Sequence, residues 1–363
     1  MLLIQRWAAQ KLSGFMKDSS NLTAELDVLK DKVLHSQVPP QLRLQLESAV
    51  DRLSRMLSLG AFAAEYDSLA RYVDWATILP WDKRSHDNLD IKSAQELLEK
   101  NHYGMWKIKD RLLEYLAVLS LTSGKKNLEA GVLCFVGLPG IGKTSIAASV
   151  ATALGRQFVR IPFGGIGDVA QLRGLPRYLP SSEPGQILKN LRRCGTKNPV
   201  ILFDEVDRVA DAGRSSIMGV LLELLDPEQN SQFMDYFLDF PFDLSEVLFI
   251  CTANNTHGIS NAVLDRLEVI EMPSYTDDEK RIIGRDYLLP RVLERTGLSS
   301  DQLKIREDLW PKIIRPLGYD SGIRTLERTL EGVCRKVARK IVEGEGSVFE
   351  LDESNIKEFL PSW

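Results

Sequence analysis

The sequence predicts an α/β fold with a parallel sheet covered by helices on both faces, plus an N-terminal helical arm and a C-terminal all-α small domain. Three observations support this prediction. Short apolar runs alternate with helical patterns from Gly131 to about Met272, amphipathic helical periodicity precedes this region, and only helical periodicity follows it. The expected domains are 1–88 for the arm, 89–273 for the α/β nucleotide-binding domain and 274–363 for the small domain.

The composition argues against several classes of function. The 363 residues carry 46 Lys and Arg against 50 Asp and Glu, and the net charge of −4 favours neither nucleic acid nor a membrane surface as a partner. Four widely spaced cysteines without a Cys-x-x-Cys pair suggest neither a zinc site nor a disulfide framework. The apolar run Met1–Ile4 is too short for a signal peptide, and no run approaches membrane-spanning length. A cytoplasmic location is expected.

The arm has the periodicity of amphipathic helices. From Ser20 to Gly60, leucine and valine recur at three- and four-residue spacing, interrupted at Pro39-Pro40. These two helices form either a coiled-coil hairpin or two helices packed on their neighbours, and the small number of heptads favours the second arrangement. Further helices are predicted at Ala61–Leu79, Ser93–Lys100 and Trp106–Leu121.

Five short runs are strand candidates, and the first of them has the composition of a buried parallel strand. They lie at Val132–Val136, Phe158–Ile161, Val200–Phe203, Val247–Thr252 and Val269–Met272. Beyond Pro273 the pattern is wholly helical, and the predicted helices are Asp277–Leu289, Asp308–Arg315, Gly322–Glu343 and Glu353–Leu360.

A phosphate-binding pattern follows the first predicted strand. Residues 137–144 read Gly-Leu-Pro-Gly-Ile-Gly-Lys-Thr and fit G-x-x-x-x-G-K-[ST] at every defined position. The glycines let successive backbone N–H groups point at one anion, and the following helix adds the positive end of its dipole. Lys143 is expected to reach the β- and γ-phosphates, and Thr144 to place its hydroxyl on Mg²⁺. The candidate nucleotide-binding residues are Gly137, Leu138, Pro139, Gly140, Ile141, Gly142, Lys143, Thr144 and Ser145.

Two acids end the third predicted strand. Asp204 and Glu205 follow Val200–Phe203, and the carboxyl ends of parallel strands lie at the same edge of the sheet as the phosphate loop. Asp204 is expected to hold Mg²⁺, directly or through water, and Glu205 to orient and deprotonate the attacking water. The pair therefore predicts hydrolysis as well as nucleotide binding.

Three further polar residues are candidates for the reaction. Asn254 closes the strand Val247–Cys251, where an amide can hydrogen-bond both the attacking water and the γ-phosphate; the alternative is an asparagine in a turn. Arg266 and Arg324 can each stabilise the charge of the transition state, from the same or a neighbouring subunit. Taken singly, each arginine is better explained as a surface residue.

Together these features resemble the AAA+ ATPases, and specific strings resemble the ATPase region of the Lon proteases. The similarity runs from about residue 60 to residue 360. The strings are Tyr72-Val73-Asp74-Trp75, Leu79-Pro80-Trp81, His102-Tyr103-Gly104 and the segments 137–145, 221–230, 247–254 and 264–270.

The resemblance implies a ring, usually a hexamer, in which ATP with Mg²⁺ lies between subunits and drives a polypeptide through the centre. It gives the phosphate loop and the two acids the roles stated above. It assigns Asn254 to the sensor-1 amide, Arg266 to the arginine finger offered to the adjacent subunit and Arg324 to the sensor-2 arginine. It also places His102 and Tyr103 where the family cups the adenine.

Two features depart from the Lon pattern. Lon subunits continue into a protease domain with a Ser-Lys dyad, whereas this sequence stops at Trp363, contains no Gly-x-Ser-x-Gly elbow and has no evident nucleophile partner among its four histidines. In the loop after Arg173-Gly174, Leu179 stands where the family has an aromatic residue that grips substrate, and Tyr178 falls one position early.

The sequence thus predicts an ATP-hydrolysing, ring-forming Lon-like AAA+ ATPase that unfolds or remodels proteins and has no peptidase site. Its expected partners are further copies of the chain and polypeptide substrates, and a separate protease is a candidate. Two alternatives remain open. One is the ATPase segment of a longer Lon serine protease, and the other is a nucleotide-dependent assembly scaffold whose altered loop never touches substrate.

Overall fold

The computed structural model describes residues 25–58, 63–122, 131–179, 181–315 and 322–360. The chain divides into two compact units. The first unit takes its described residues from Met1–Ser85, Gly167–Pro199 and Ser215–Val247, and the second from His86–Ile166, Val200–Arg214 and Leu248–Trp363. The domain boundaries predicted after residues 88 and 273 stay predictions.

Three helices begin the first unit: α1 (25–35), α2 (Pro40–Ser58) and α3 (Ala63–Ile78). The chain leaves α1 before Pro39 and starts α2 at Pro40, where a proline lacking its N–H is tolerated in the first turn. Their apolar stripes are buried, as the periodicity predicts. The helix start predicted at Ser20 and the break predicted at Gly60 lie outside the described residues.

The rest of the first unit contains short elements that the sequence analysis does not specify. They are α7 (Ala170–Arg173), α8 (Gln186–Cys194), most of α9 (Arg214–Leu225) and an antiparallel pair, β4 (Phe233–Met234) and β5 (Pro241–Phe242). The ring of Trp81 lies 4.8 Å from that of Phe242, centroid to centroid, and anchors the end of the arm on the pair. Two-residue strands are too short to show an alternating pattern.

A five-stranded parallel sheet forms the centre of the second unit, in the order β2-β3-β6-β1-β7. Each strand overlaps a predicted one. They are β1 (Val132–Val136), β2 (Phe158–Pro162), β3 (Val200–Asp204), β6 (Leu248–Ala253) and β7 (Leu267–Glu271). Because all five strands are parallel, the segments that follow β1, β3 and β6 lie together at the carboxyl ends of the strands.

Among the residues that the structure describes, the α/β part of the second unit contains the helices α4 (Ile91–Asn101), α5 (Trp106–Thr122), α6 (Lys143–Leu154) and α10 (Asn261–Leu264). One apolar cluster joins α4, α5 and α6 to the sheet through residues such as Leu98, Leu112 and Ile146. Phe163, Phe203 and Phe249 form a separate aromatic row, with ring centroids 4.9 and 5.2 Å apart along it. The predicted fold class is confirmed.

The C-terminal part of the second unit is mostly helical. Its helices are α11 (Asp277–Ile282), a π-helical turn (Ile283–Leu288), α12 (Leu289–Thr296), α13 (Trp310–Ile314), α14 (Arg324–Val342) and α15 (Ile356–Phe359). Thr276 and Glu279 form a capping box at the start of α11. Trp310, 1% exposed, lies in the apolar core of this part.

One short sheet departs from the wholly helical prediction for the C-terminal part. β8 (Leu303–Ile305) pairs in parallel with β9 (Phe349–Leu351), and Arg306 continues the pairing through its N–H to the carbonyl of Leu351. Strands of three residues give no readable periodicity, so tertiary pairing decides their conformation. Within the described ranges, no helix combines the length and the hydropathy required to span a bilayer.

Candidate nucleotide-binding site

The phosphate loop connects β1 to α6, and its backbone requires the glycines of the pattern. Gly140 and Gly142 adopt φ of +82° and +98°, which side chains other than glycine rarely tolerate. A Cβ on Gly137 would lie 2.5 Å from both the Ile141 Cδ1 atom and the Met272 carbonyl oxygen. The loop is therefore a tight turn whose N–H groups precede the N-terminus of α6, which is the arrangement that binds phosphate.

Lys143 curls back over this loop. Its Nζ donates hydrogen bonds to the carbonyls of Gly137 at 2.5 Å and Leu138 at 3.0 Å, and to Asn254 Oδ1 at 3.1 Å. The side chain is largely buried, and burial lowers the pKa of the ammonium, opposed by the nearby Asp204 carboxylate. A cation is thus held at the mouth of the loop, at the position where the sequence predicts a phosphate-binding lysine.

Asp204 ends β3 as a buried carboxylate, 5% exposed. Its Oδ1 accepts hydrogen bonds from the hydroxyls of Thr252 and Thr144, the latter at 3.5 Å. Its Oδ2 lies 2.6 Å from the Arg160 guanidinium. The proximity of Thr144 and Asp204 brings together the two oxygen ligands predicted for Mg²⁺.

Glu205 directs its carboxylate away from these buried groups. Its backbone is left-handed, with φ of +59° and ψ of +49°, an uncommon conformation for glutamate that is held by a hydrogen bond of 3.0 Å from its N–H to the Thr252 hydroxyl. The side chain is 32% exposed, and its Oε2 lies 3.5 Å from Arg208 Nη1. A Cβ on Gly164 would lie 3.2 Å from Oε2, so the absent side chain leaves room beside the carboxylate.

Asn254 follows β6 and has one amide atom engaged. Its Oδ1 accepts from Lys143, whereas its buried Nδ2 has no hydrogen-bond partner among the described residues. An unsatisfied buried donor is costly, and it is explained where a ligand or water normally supplies the acceptor. The contact of Asn254 with water and phosphate and its alternative, an asparagine in a turn, both stay predictions.

These groups fit ATP with Mg²⁺. The loop offers backbone donors and an ammonium, Asn254 offers a free donor, and Thr144 and Asp204 offer two hard oxygen ligands. Within the described ranges, no cluster of three or more His, Cys, Asp or Glu side chains could hold a metal alone. This donor set suits Mg²⁺, which takes one or two protein oxygens and completes its shell with water and substrate phosphates.

His102 lies in the turn between α4 and α5, but its ring is engaged with the protein. The ring is 7% exposed and its Nε2 lies 2.9 Å from the Ser149 hydroxyl of α6, while its carbonyl accepts from Lys109. Burial, with smaller contributions from Lys109 and Arg291, lowers the pKa of His102 to about 4. The ring therefore ties the turn to α6, and its contact with adenine stays a prediction.

Tyr103 is half-buried and packs edge-on against Tyr287, with ring centroids 6.3 Å apart. Tyr287 belongs to the C-terminal helical part, so Tyr103 connects that part with the turn before α5. The contact of Tyr103 with adenine also stays a prediction.

Arg324 approaches the phosphate loop from the C-terminal helical part. A Cβ on Gly140 would lie 3.3 Å from Arg324 Cγ, and the N–H of Ile323 donates to the Gly140 carbonyl at 2.9 Å. Gly322 packs so closely that a Cβ there would lie 2.8 Å from Gly140. Arg324 itself is exposed at the start of α14, beside the loop that it is predicted to serve.

Arg266 lies at the amino ends of the parallel strands, opposite the phosphate loop at their carboxyl ends. Its carbonyl accepts from the N–H of Val132 at 3.2 Å, and Val132 is the first residue of β1, whereas the phosphate loop follows the last. The first and last residues of the five-residue strand β1 are separated by ~13 Å. At the carboxyl ends of the strands, the structure brings together Lys143, Thr144, Asp204, Glu205, Asn254 and Arg324. The exposed Arg266 lies away from them.

Three further residues of the site belong to no recognised sequence motif. Thr252 bonds both acids, Arg160 contacts Asp204, and Tyr275 donates its hydroxyl to the Ile141 carbonyl of the loop at 3.1 Å. Thr252 and Arg160 interrupt apolar strands, and a polar side chain in such a strand is a signal that can be read, because it needs a partner. Tyr275 gives no comparable signal.

Two families match parts of the chain. The family described as "ATPase family associated with various cellular activities (AAA)" matches residues 133–275, which include the phosphate loop, both acids and Asn254. The family described as "Lon protease AAA+ ATPase lid domain" matches residues 294–348, which include Arg324.

Similar proteins cover most of the chain. The Lon protease of Lawsonia intracellularis is 43% identical over 343 residues, which are 94% of this chain and 41% of that protein. Lon protease 1 of Bacillus subtilis is 40% identical over 98% of this chain and 45% of its own length. The Lon protease of Dictyoglomus thermophilum is 44% identical over 88% of this chain and 40% of its own length. The chain spans less than half the length of these relatives.

Proposed function

We propose, from the premise that this chain is the AAA+ ATPase region of a Lon-family protein, that it hydrolyses ATP with Glu205 as the general base. The observation that carries the proposal is the position of Glu205. Its partly exposed carboxylate follows directly on the buried Asp204, beside a phosphate loop that holds Lys143. The AAA domain implies nucleotide binding.

The phosphate loop binds and orients the nucleotide. Its backbone N–H groups and Lys143 neutralise the β- and γ-phosphates, while Thr144 and Asp204 are the ligands that the chain offers to Mg²⁺. Mg²⁺, when bound, withdraws charge from the phosphate oxygens. Ser145 and the other loop residues contribute through their backbone. His102 and Tyr103 are proposed to border the adenine.

Glu205 removes the proton from the attacking water. Thr252 fixes its backbone from one side, and the space next to Gly164 leaves the carboxylate accessible. The unpartnered Nδ2 of Asn254 is a donor that can orient the water or the γ-phosphate. Arg324 adds positive charge from the C-terminal helical part.

Assembly with other copies of the chain completes the site. Arg266 lies at the opposite end of β1 from its own phosphate loop, so its proposed role as an arginine finger requires a neighbouring subunit. A ring, usually a hexamer in this family, provides such neighbours. Four unpaired cysteines support the cytoplasmic location proposed for it.

The proposed work of the ring is to unfold or remodel polypeptides. The loop after Gly174 carries Tyr178, whose side chain is 84% exposed and available to a substrate. The name of these relatives, Lon protease, supports the alternative that this ATPase serves a Lon serine protease. If the ATPase does not belong to a longer protease, a separate protease is the proposed partner.

One set of measurements tests the proposal. Phosphate release from Mg²⁺-ATP is measured with and without an unfolded polypeptide. The mass of the protein in solution is measured with and without ATP. Hydrolysis that rises with unfolded polypeptide, together with a ring mass, is expected. Ring formation without stimulation would favour the assembly scaffold, and absence of hydrolysis under both conditions would contradict the proposal.

A further inference from the structure

Arg160 of β2 reaches the Asp204 carboxylate across the sheet. In the β2–β3 register Arg160 stands opposite Leu202, two residues before Asp204 and therefore on the same face. Its Nε and Nη2 atoms both lie 2.6 Å from Asp204 Oδ2. Two donors of one guanidinium thus converge on a single carboxylate oxygen, which is a strong, charge-assisted contact.

The other contacts of Asp204 are neutral. Thr252 and Thr144 donate to Oδ1, so Arg160 is the charged group in direct contact with this buried carboxylate among the described residues. A buried carboxylate without a counter-charge is costly, and the next cation along, Lys143, is bonded to carbonyls and to Asn254. Arg160 therefore supplies the positive charge that Mg²⁺ would bring to the same group.

The two partners differ in their freedom to move. The Asp204 side chain is 7% exposed, whereas that of Arg160 is 53% exposed. An exposed arginine can rotate into water and remain solvated, so the guanidinium itself loses little when the pair separates. The geometry thus provides a cation that stabilises Asp204 and can leave it without unfolding any element.

We propose that Arg160 is a positioning residue that serves as an exchangeable counter-ion for Asp204. The guanidinium holds the carboxylate in the absence of metal and yields it when Mg²⁺ arrives with the nucleotide. Arg160 also screens the phosphates of metal-free nucleotide from the negative charge of Asp204. It therefore reduces the dependence of nucleotide affinity on Mg²⁺. The inference rests on the proposed role of Asp204 in holding Mg²⁺.

The test compares the affinity for a fluorescent ADP derivative in EDTA and in Mg²⁺. ADP is used so that hydrolysis does not enter the readout. In Arg160→Gln the ratio of the dissociation constant in EDTA to that in Mg²⁺ is expected to rise about fivefold over the parent's ratio. Arg160→Lys, which keeps the charge and loses the fork, is expected to show a rise of about twofold.

Arg111→Gln is the matched control. Arg111 is 56% exposed and pairs at 3.0 Å with Glu268, a residue of β7 outside the nucleotide site, so its loss removes a comparable ion pair without touching Asp204. It is expected to keep the parent's ratio. A ratio in folded Arg160→Gln equal to that of the parent and of Arg111→Gln would overturn the inference.

Two outcomes separate the inference from the function on which it rests. A parent protein that fails to bind ADP in Mg²⁺ would contradict the nucleotide site itself. If the parent binds and Arg160→Gln does not fold, Arg160→Lys decides, and an unchanged ratio in that variant overturns the inference. The thermal unfolding midpoint of each variant shows whether it is folded.

Discussion

The hydroxyl of Thr252 donates a hydrogen bond to the carboxylate of Asp204. The same hydroxyl accepts the backbone N–H of Glu205 at 3.0 Å. One fully buried threonine of β6 therefore positions both acids that end β3. Because the Thr252 side chain is fully buried, its hydroxyl needs these partners to remain satisfied.

Replacing Thr252 by valine is expected to lower turnover and stability together. Valine keeps the shape but leaves a carboxylate oxygen and a backbone N–H of the acid pair short of a partner, at a cost of about 1–3 kcal/mol. Turnover should fall about tenfold or more, because Glu205 loses its positioning. Phosphate release and urea unfolding measure the two effects.

Thr329→Val is the control for Thr252→Val. Thr329 is also fully buried, and its hydroxyl donates a hydrogen bond to the Thr325 carbonyl within α14. Its loss should affect stability without affecting turnover of the folded protein. Equal turnover in the two variants would remove Thr252 from the positioning of the acids.

The sheet and the phosphate loop could be predicted because their signals are local. The strands β1 and β3 contain contiguous apolar runs, and the loop needs glycine at fixed positions for its positive φ angles. The contact of Arg160 with Asp204 depends instead on the register of two strands that lie about forty residues apart. The sequence alone contains no signal from which that register could be predicted.

His102 illustrates a different limit of prediction from sequence. The resemblance implies a place near the adenine, which stays a prediction, whereas the burial of the ring and its hydrogen bond to Ser149 were not indicated by the motif. The direction of a side chain from a turn is decided by packing, here against α6, and a motif does not encode it. The strands β8 and β9 are also difficult to predict, because three residues are too few to show a hydrophobic periodicity.

Acidification is expected to destabilise the fold through His102. Its pKa in the folded protein is about 4, below the ordinary value of about 6.5, so the unfolded chain binds the proton more readily. The contribution to stability is complete above the ordinary pKa and is lost as the pH falls from there to about 4, by up to about 3 kcal/mol. Urea unfolding across this range measures the slope.

His102→Gln should flatten this part of the pH profile, because glutamine can bond Ser149 without titrating. His35→Gln is the control, since the His35 ring is 70% exposed. Comparing variants removes the effect of the carboxylates that titrate in the same range. Parallel profiles for the parent and His102→Gln would show that His102 does not titrate with unfolding.

Arg266 is expected to act on the site of a neighbouring subunit. Arg266→Ala and Lys143→Ala subunits should each be inactive alone, and mixing them should restore activity. In a randomly mixed ring, about one quarter of the interfaces pair an intact loop with an intact arginine. Phosphate release after verified subunit exchange measures the recovery.

The control mixture combines Lys143→Ala with Glu205→Gln. Both residues serve the nucleotide of their own subunit, so no interface regains a complete site and no recovery is expected. Recovery in neither mixture would contradict the role of Arg266 in a neighbouring subunit.

The Tyr178 loop is expected to contact substrate with a moderate grip. Arg177 lies 3.9 Å over the Tyr72 ring and anchors the loop, which exposes 84% of Tyr178 and 38% of Leu179. Leucine offers less area than an aromatic residue, so the loop suits marginally stable substrates. A Tyr178→Ala, Leu179→Ala double variant should remodel a graded series of substrates more slowly at a comparable ATPase rate.

Leu121→Ala removes an equally prominent apolar side chain, 83% exposed on α5, and should not change remodelling. Equal remodelling by the parent and the double variant would mean that this loop does not grip substrate. The assembly scaffold would then be the better account of the protein.

The most direct test of ATP hydrolysis at this site is turnover in Glu205→Gln, measured as phosphate release at saturating Mg²⁺-ATP beside the nucleotide dissociation constant. Glutamine keeps the size of the side chain but cannot accept the proton of the attacking water. The account predicts turnover reduced by about 100-fold or more with the dissociation constant nearly unchanged, whereas Lys143→Ala weakens binding itself. Turnover in Glu205→Gln within a few-fold of the parent would contradict it.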